Sequence, residues 1–180
     1  MRLDWNTRKL SDKERALAMS VYDKSIPYDS VFLTDGLGPI PGYDNPYTTE
    51  NMGLFFVHIG PDIYPDATLK KKYNGYGRYD EIFIHEMAHV WQYDKGYNVV
   101  LSSFWANTAG EGYSYTLGKA WDDYNVEQQG DIVSDWYVKG MSTSDDRFVF
   151  IDKIIRPAIG KWSLKGLKLN NMSFDDLKKS

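Results

Sequence analysis

The 180-residue sequence predicts an α+β fold, one compact domain in which a small antiparallel sheet packs against helices. Three observations lead there. Helical spacing of apolar residues marks the start and the second half of the chain, whereas the stretch between holds two extended apolar runs divided by a loop dense in Gly, Pro and Asp. At 42% hydrophobic and 16% aromatic, the chain carries apolar material for one sizeable core but is too short for two ordinary domains. No repeat, low-complexity tract or domain linker divides it.

The first helix lies in "LSDKERALAMSVYDKS". Ser11 stands as N-cap with Glu14 three residues on, a capping box, and Ala16, Leu17, Met19 and Val21 follow with helical bias. Ser30 to Thr34 and Met52 to Ile59 read as strands and are expected to pair as antiparallel neighbours. "DIYPDATLKKKYNGYGRYD" is polar, aromatic and turn-rich, a loop with one short helical turn. From Asp80 to Lys95, apolar Ile82, Phe83, Met87, Val90 and Trp91 recur at helical spacing, and Gly96 supplies the stop. "NVVLSSFWANTAGEGYSYTLG" fits either a helix or a long loop. "DDYNVEQQGDIVSDWYVKG" is helical again, with Asp122, Asp123 and Asn125 as cap candidates and Gly140 at its close. "DRFVFIDKIIRPAIG" predicts a last short helix stopped before Pro157. The domain is expected to span residues 1–160, with 161–180 a polar C-terminal tail.

Charge and composition exclude several classes of function. A formal net charge of −4 gives no basic footprint for nucleic acid or an anionic membrane. No segment approaches the roughly 20 apolar residues of a membrane span, and no conventional signal peptide opens the chain. Zero cysteines exclude a disulfide framework and a thiolate metal site, so a bound metal must be held by histidine and carboxylate.

Two of the three histidines fall in "IHEMAHVWQ". Residues four apart on a helix stand one above the other, so His85 and His89 project from one face and reach the same metal ion. Glu86 lies about 100° around the helix, beside such an ion and not in line with the histidines. This is the H-E-x-x-H arrangement, in which two imidazoles hold zinc and the glutamate serves as general base for a water whose pKa the metal lowers to about 7. Set against it is the bland reading, a surface helix that carries two histidines by chance.

The third ligand is sought among carboxylates. His58, in the apolar strand "LFFVHIGP", is expected to be a packed or hydrogen-bonded core residue. Glu111 sits between glycines with nothing rigid to aim it. Glu127 sits on a predicted helix with Asp131 one turn on, so we assign Glu127 as ligand, and Asp131 or Asp135 as the carboxylate that accepts an N–H from a ligating histidine. Tyr113 and Tyr115, between the two helices, are candidate oxyanion donors, or simply aromatic core. Gln92 falls on the His85 and His89 face and orients a ligand or packs the helix end. The "YNGYGRY" stretch with Arg78 forms a groove wall or an irregular connection.

These residues carry a resemblance. H-E-M-A-H on one helix with E-x-x-x-D on a later one resembles the gluzincin class of zinc peptidases. More closely, "HEMAHVWQ", "YNVEQQGDIVSDWY" and the opening "RKLSDKERALAMSVYDKSIPYDSVFL" resemble the small metallopeptidase domains at the C-terminus of VgrG spike proteins and in Rhs-type toxins. The resemblance spans about residues 8 to 140 and implies a compact zincin-like domain, with one Zn2+ per chain on His85, His89 and Glu127 and with Glu86 catalytic. It also implies a type VI secretion effector, delivered on a spike or Rhs carrier into a neighbour's periplasm and neutralised by a cognate immunity protein. Two features depart from the pattern: residues 1–180 contain no spike or Rhs core, and Gly130 in "EQQGD" weakens the helix by about 1 kcal/mol relative to Ala.

The sequence therefore points to a zinc-dependent endopeptidase acting on a protein or peptide. Its rivals are a non-catalytic binding module with structural zinc, and a housekeeping or self-processing peptidase that works in the cytoplasm.

Overall fold

The computed structural model describes residues 5–37, 45–73, 77–99, 112–156 and 171–179. Strand β1 (Thr7–Lys9) leads into α1 (Asp12–Tyr22), followed by β2 (Val31–Thr34), β3 (Tyr47–Asn51), β4 (Leu54–His58), the short α2 (Gly60–Ile63) and α3 (Tyr79–Asp94). The second half is helical. It holds α4 (Val126–Val138), α5 (Phe148–Phe150), which runs on as a π-helical turn over Ile151–Ile155, and α6 (Phe174–Lys179).

The α+β class holds, in a single compact domain, but the sheet is mixed. Its order is β1-β2-β4-β3. The two apolar runs are neighbours, yet β2 runs parallel to β4, with Val31 opposite Phe55 and Thr34 opposite His58. The expected antiparallel pairing is corrected by β3, a strand the sequence reading placed in loop. β3 forms a hairpin with β4 through Met52 and Gly53, both at positive φ (52° and 78°), a conformation that tight two-residue hairpin turns require. The residues read as the start of the second strand are this turn. β3 gives little sequence signal because it is an edge strand whose "YTTEN" buries Thr48 and leaves its far end exposed.

The capping box of α1 forms as its spacing predicts: Ser11 Oγ accepts from the Glu14 amide, and Glu14 accepts from the Ser11 amide at 2.8 Å. Glu14 does more than cap. Its buried carboxylate takes two bonds from Arg8 of β1, at 2.7 and 2.8 Å, and one from the Ala67 amide. Burial alone would raise its pKa, but these donors win and hold it below the usual glutamate range.

Helix α3 runs through the middle of the molecule, packed against α4 on one side and against β3 and β4 on the other. Phe83, Ile84, Met87 and Val90 have no exposed surface. Each such side chain contributes about 1.5–3 kcal/mol by leaving water, which is enough to seat a helix that carries polar site residues on its other faces. Tyr22 of α1 donates its hydroxyl to the Ile84 carbonyl at 2.6 Å, fixing α3 one residue before His85. At the far end Trp91 meets Trp121 edge-on at 6.1 Å, Trp121 packs on Phe150, and Phe174 of α6 packs on Phe150 in turn. Of the expected tail, 161–180, the described residues 171–179 place Phe174 and Leu177 in the core. The stretch 98–118 falls largely on 100–111, outside the described residues, and residues 112–118 are neither helix nor strand. Among the described residues no helix is long and apolar enough to cross a membrane.

Candidate metal centre

The facing surfaces of α3 and α4 build the site. Asn125 caps α4 by accepting from the Gln128 amide at 2.9 Å, which starts the helix one residue before Glu127 and puts Glu127, Gly130 and Asp131 on the face turned to α3. From α3, His85, His89 and Gln92 recur at helical spacing on the opposing face. His85 Nε2 lies 3.2 Å and His89 Nε2 3.5 Å from the same Glu127 oxygen, Oε2. Among the described residues, His85, His89 and Glu127 form a group that can hold a metal ion, with ligand atoms all within 4.8 Å of one another.

Each imidazole is locked from behind. His85 Nδ1 faces Asp131 Oδ1 at 2.9 Å, and a carboxylate there fixes the proton on Nδ1. His89 is held through an amide, that of Gln92. Gln92 Nε2 donates to the Val126 carbonyl at 2.9 Å and to Gln129 Oε1 at 3.0 Å, and Gln129 is held in turn by its own donation to the Trp121 and Tyr124 carbonyls. Gln92 must therefore present Oε1 to His89 Nδ1, at 2.7 Å, and His89 carries its proton there. Both rings turn an Nε2 lone pair toward Glu127, a donor set of two imidazoles and one carboxylate that suits a borderline divalent cation.

Electrostatics favour a cation at the same point. Burial opposes charge on both histidines, yet Asp131 and Glu127 outweigh it at His85, and Glu127 and Glu86 at His89, so that both take up protons more readily than usual. For Glu127, burial raises the carboxyl and the two histidines more than offset it, holding it well below the usual range. Glu86 behaves differently. It is 4% exposed, and burial lifts its pKa above the usual glutamate value. Its Oε2 accepts from the Thr48 hydroxyl of β3 at 2.8 Å.

Gly130 explains a local departure from helix propensity. A Cβ at this position would stand 2.7 Å from His85 Cε1, closer than real contacts allow, so the imidazole rests on bare α4 backbone.

The remaining sequence candidates separate. Asp131 reaches His85, whereas Asp135 accepts from the Tyr115 hydroxyl at 2.5 Å and from Arg147 at 3.3 Å. Tyr115 is thus committed to that pair and also accepts from Arg147 Nε at 2.7 Å. Tyr113 stays beside the centre: its ring lies 6.3 Å from His85 and is 48% exposed. Its segment is tied to the start of α4, where Gln128 donates to the Ser114 carbonyl and Asn125 to that of Gly112. Tyr113, Tyr115, Asp131, Asp135 and Arg147 line an open groove of about 670 Å3, which shares Asp131 with the histidine cluster. His58 lies outside the cluster. It bonds Thr34 and Thr49 through its two ring nitrogens and stacks on Tyr47 at 4.2 Å. Arg78 is spent on Asp80, through two bonds of 2.9 Å, and Asp80 also takes the Tyr137 hydroxyl of α4. Residues 74–76 of "YNGYGRY" and Glu111 lie outside the described residues. Sequence reasoning missed Thr48, which no local pattern marks, and Gln129, whose task depends on two carbonyls from the preceding turn.

No protein-family model matches the chain. It is 34% identical over 158 residues to the type VI secretion system spike protein VgrG2b of Pseudomonas aeruginosa, an alignment that covers 81% of this chain and 15% of that protein. Among solved structures, the effector domain of Pseudomonas aeruginosa VgrG2b matches with a TM-score of 0.55 and 32% identity, over 75% of each chain. The chain belongs to the family of the VgrG2b effector domain. Its similarity to the spike protein spans a small fraction of that protein's length, and the match in fold is to the effector domain. As a member of the VgrG2b effector-domain family, it combines a small sheet beside α3 with a group of two histidines and one carboxylate between α3 and α4.

Proposed function

We propose that this chain is a zinc-dependent endopeptidase and the toxic domain of a type VI secretion effector, delivered with a VgrG-type spike or Rhs carrier and active in the target cell's periplasm. The observation that carries the catalytic part is the convergence of His85 Nε2, His89 Nε2 and Glu127 Oε2, with each imidazole locked through its Nδ1 and Glu86 buried beside them. Residues 1–160 are the proposed peptidase domain, with Phe174 and Leu177 of the C-terminal segment packed into its core.

His85, His89 and Glu127 would hold one Zn2+, which supplies Lewis acidity to polarise the scissile carbonyl and to acidify water. The chain's residues do the rest. Glu86 takes the proton from the attacking water and returns it to the leaving nitrogen as the C–N bond breaks. Burial pushes its pKa above the usual glutamate value. Asp131 and Gln92 hold the imidazoles in one tautomer. Tyr113, exposed with its ring 6.3 Å from that of His85, is the tyrosine we assign to donate to the oxyanion. The groove bounded by Tyr113 and Arg147 would receive the peptide.

The deciding experiment measures zinc by elemental analysis beside cleavage of a peptide library. Wild type is expected to hold about one zinc per chain and to cleave in a chelator-sensitive manner, Glu86→Gln to keep zinc and lose turnover, and Glu127→Ala to lose both. Cleavage by Glu86→Gln at the wild-type rate would falsify the mechanism. The effector role is checked by expression: toxicity is expected with periplasmic export and not in the cytoplasm, with rescue by a cognate immunity protein.

A further inference from the structure

The hydroxyl of Thr48 sits 2.8 Å from Glu86 Oε2 and 3.1 Å from the Glu86 main-chain carbonyl, and the residue is 6% exposed. A hydroxyl has one proton to give. The backbone carbonyl of a residue in mid-helix already accepts from the amide one turn on, so the carboxylate, shorter and charged, is the partner that profits. Thr48 belongs to β3, the outer strand of the sheet, which packs directly on α3, and the Tyr93 hydroxyl of α3 bonds the Thr48 carbonyl at 3.3 Å. The strand is thus pinned to α3 at this residue from both its side chain and its main chain.

We infer that Thr48 is a positioning residue for the general base: its hydroxyl fixes the rotamer of Glu86 and occupies Oε2, so that Oε1 is the oxygen that exchanges a proton with the water and the leaving nitrogen. The inference rests on the reading of Glu86 as general base. Thr48 itself neither gains nor loses a proton and touches no substrate. A carboxylate with two equivalent oxygens and a free terminal torsion would spend much of its time turned away from the reacting atoms, and misplacement of a catalytic group by about 1 Å costs on the order of a hundredfold in rate. Because the donor comes from the sheet and the acceptor from α3, the aim of Glu86 depends on the seating of β3 against the helix.

Two conservative variants separate this role from simple packing. Thr48→Val keeps the branched shape and loses the hydroxyl, and Thr48→Ser keeps the hydroxyl and loses the methyl group. In zinc-loaded protein, Thr48→Val is expected to lower kcat about tenfold to a hundredfold with KM and zinc content little changed, and Thr48→Ser to stay within about threefold of wild type. A Val variant with full kcat, or a Ser variant as impaired as Val, would overturn the proposal. An arm without activity runs on chelated protein, comparing urea midpoints in a cycle of Thr48→Val and Glu86→Ala. The shift caused by Thr48→Val should shrink markedly when Glu86 is already Ala, and equal shifts in both backgrounds would also overturn it. If wild type cleaves nothing, or Glu86→Gln cleaves normally, the peptidase reading fails, while the cycle still decides whether Thr48 holds Glu86.

Discussion

At Gly130 the absence of one carbon decides where His85 sits. Helix propensity alone says that Gly130→Ala stabilises α4 by about 1 kcal/mol. The structure says that the added methyl meets the His85 ring at 2.7 Å. We expect zinc affinity in Gly130→Ala to fall by about tenfold to a hundredfold, read by competition with a chelating dye, since the ring must leave the place that Asp131 fixes. Unchanged affinity would show that the ring can shift freely. His58 makes a second residue-scale prediction. Burial holds its pKa at about 4, against an ordinary 6.5. Between those values the unfolded chain binds the proton and the folded chain does not, so stability falls as pH drops through that window, by roughly 3 kcal/mol when complete. Urea midpoints measured from pH 7 to 4 should show this slope in wild type and a flatter one in His58→Gln. The same scale shows what a sequence displays. His85, Glu86 and His89 are legible because helix geometry is local. Thr48 and Glu86 are 38 residues apart in sequence, and nothing in "YTTEN" signals that one hydroxyl turns inward.

Among the elements, those whose ends carry their own chemistry were the legible ones. Ser11 and Glu14, Asn125, and the stop at Gly96 mark α1, α4 and the end of α3, because capping is decided within one turn. β1 and β3 were invisible. They are short and lie at the two edges of the sheet, so no period-2 alternation needs to show. The reversed direction of β2 relative to β4 followed from missing β3. Asn125 yields a prediction here because it caps α4 and also holds the Gly112 carbonyl. Asn125→Ala should cost about 1 kcal/mol, seen as a lower thermal midpoint, and should increase proteolytic cutting near residues 112–114. A midpoint shift without new cutting would mean that the segment holds without the cap. Met52, fully exposed at φ 52°, offers the opposite: Met52→Asn puts a residue suited to that turn in its place and should raise the urea midpoint by about 0.5–1 kcal/mol equivalents.

For the whole molecule, the centre joins the two halves of the chain. α3 brings two of the metal-facing groups and α4 the third, with more than thirty residues of sequence between the two helices. A cation that binds the folded chain and not the unfolded one stabilises by mass action. Chelation should therefore lower the melting temperature of wild type and leave that of Glu127→Ala, which is expected to bind little metal, almost unmoved. Equal sensitivity in both would place the stabilising ion elsewhere.

The β3–β4 hairpin, a tight turn between adjacent strands, has a consequence in time. Such a unit closes in about 1–10 μs on its own, whereas β1 against β2 and β2 against β4 wait for longer stretches of chain to be drawn in. Because Thr48 rides on that hairpin and Glu86 on α3, the last step that equips the proposed general base is the docking of one preformed piece onto another. During refolding, helical circular dichroism is expected to return before peptide cleavage does, and slowing the hairpin at Met52 should widen that interval. A molecule that has recovered its helices would then lack the proposed activity for a moment longer than its shape suggests.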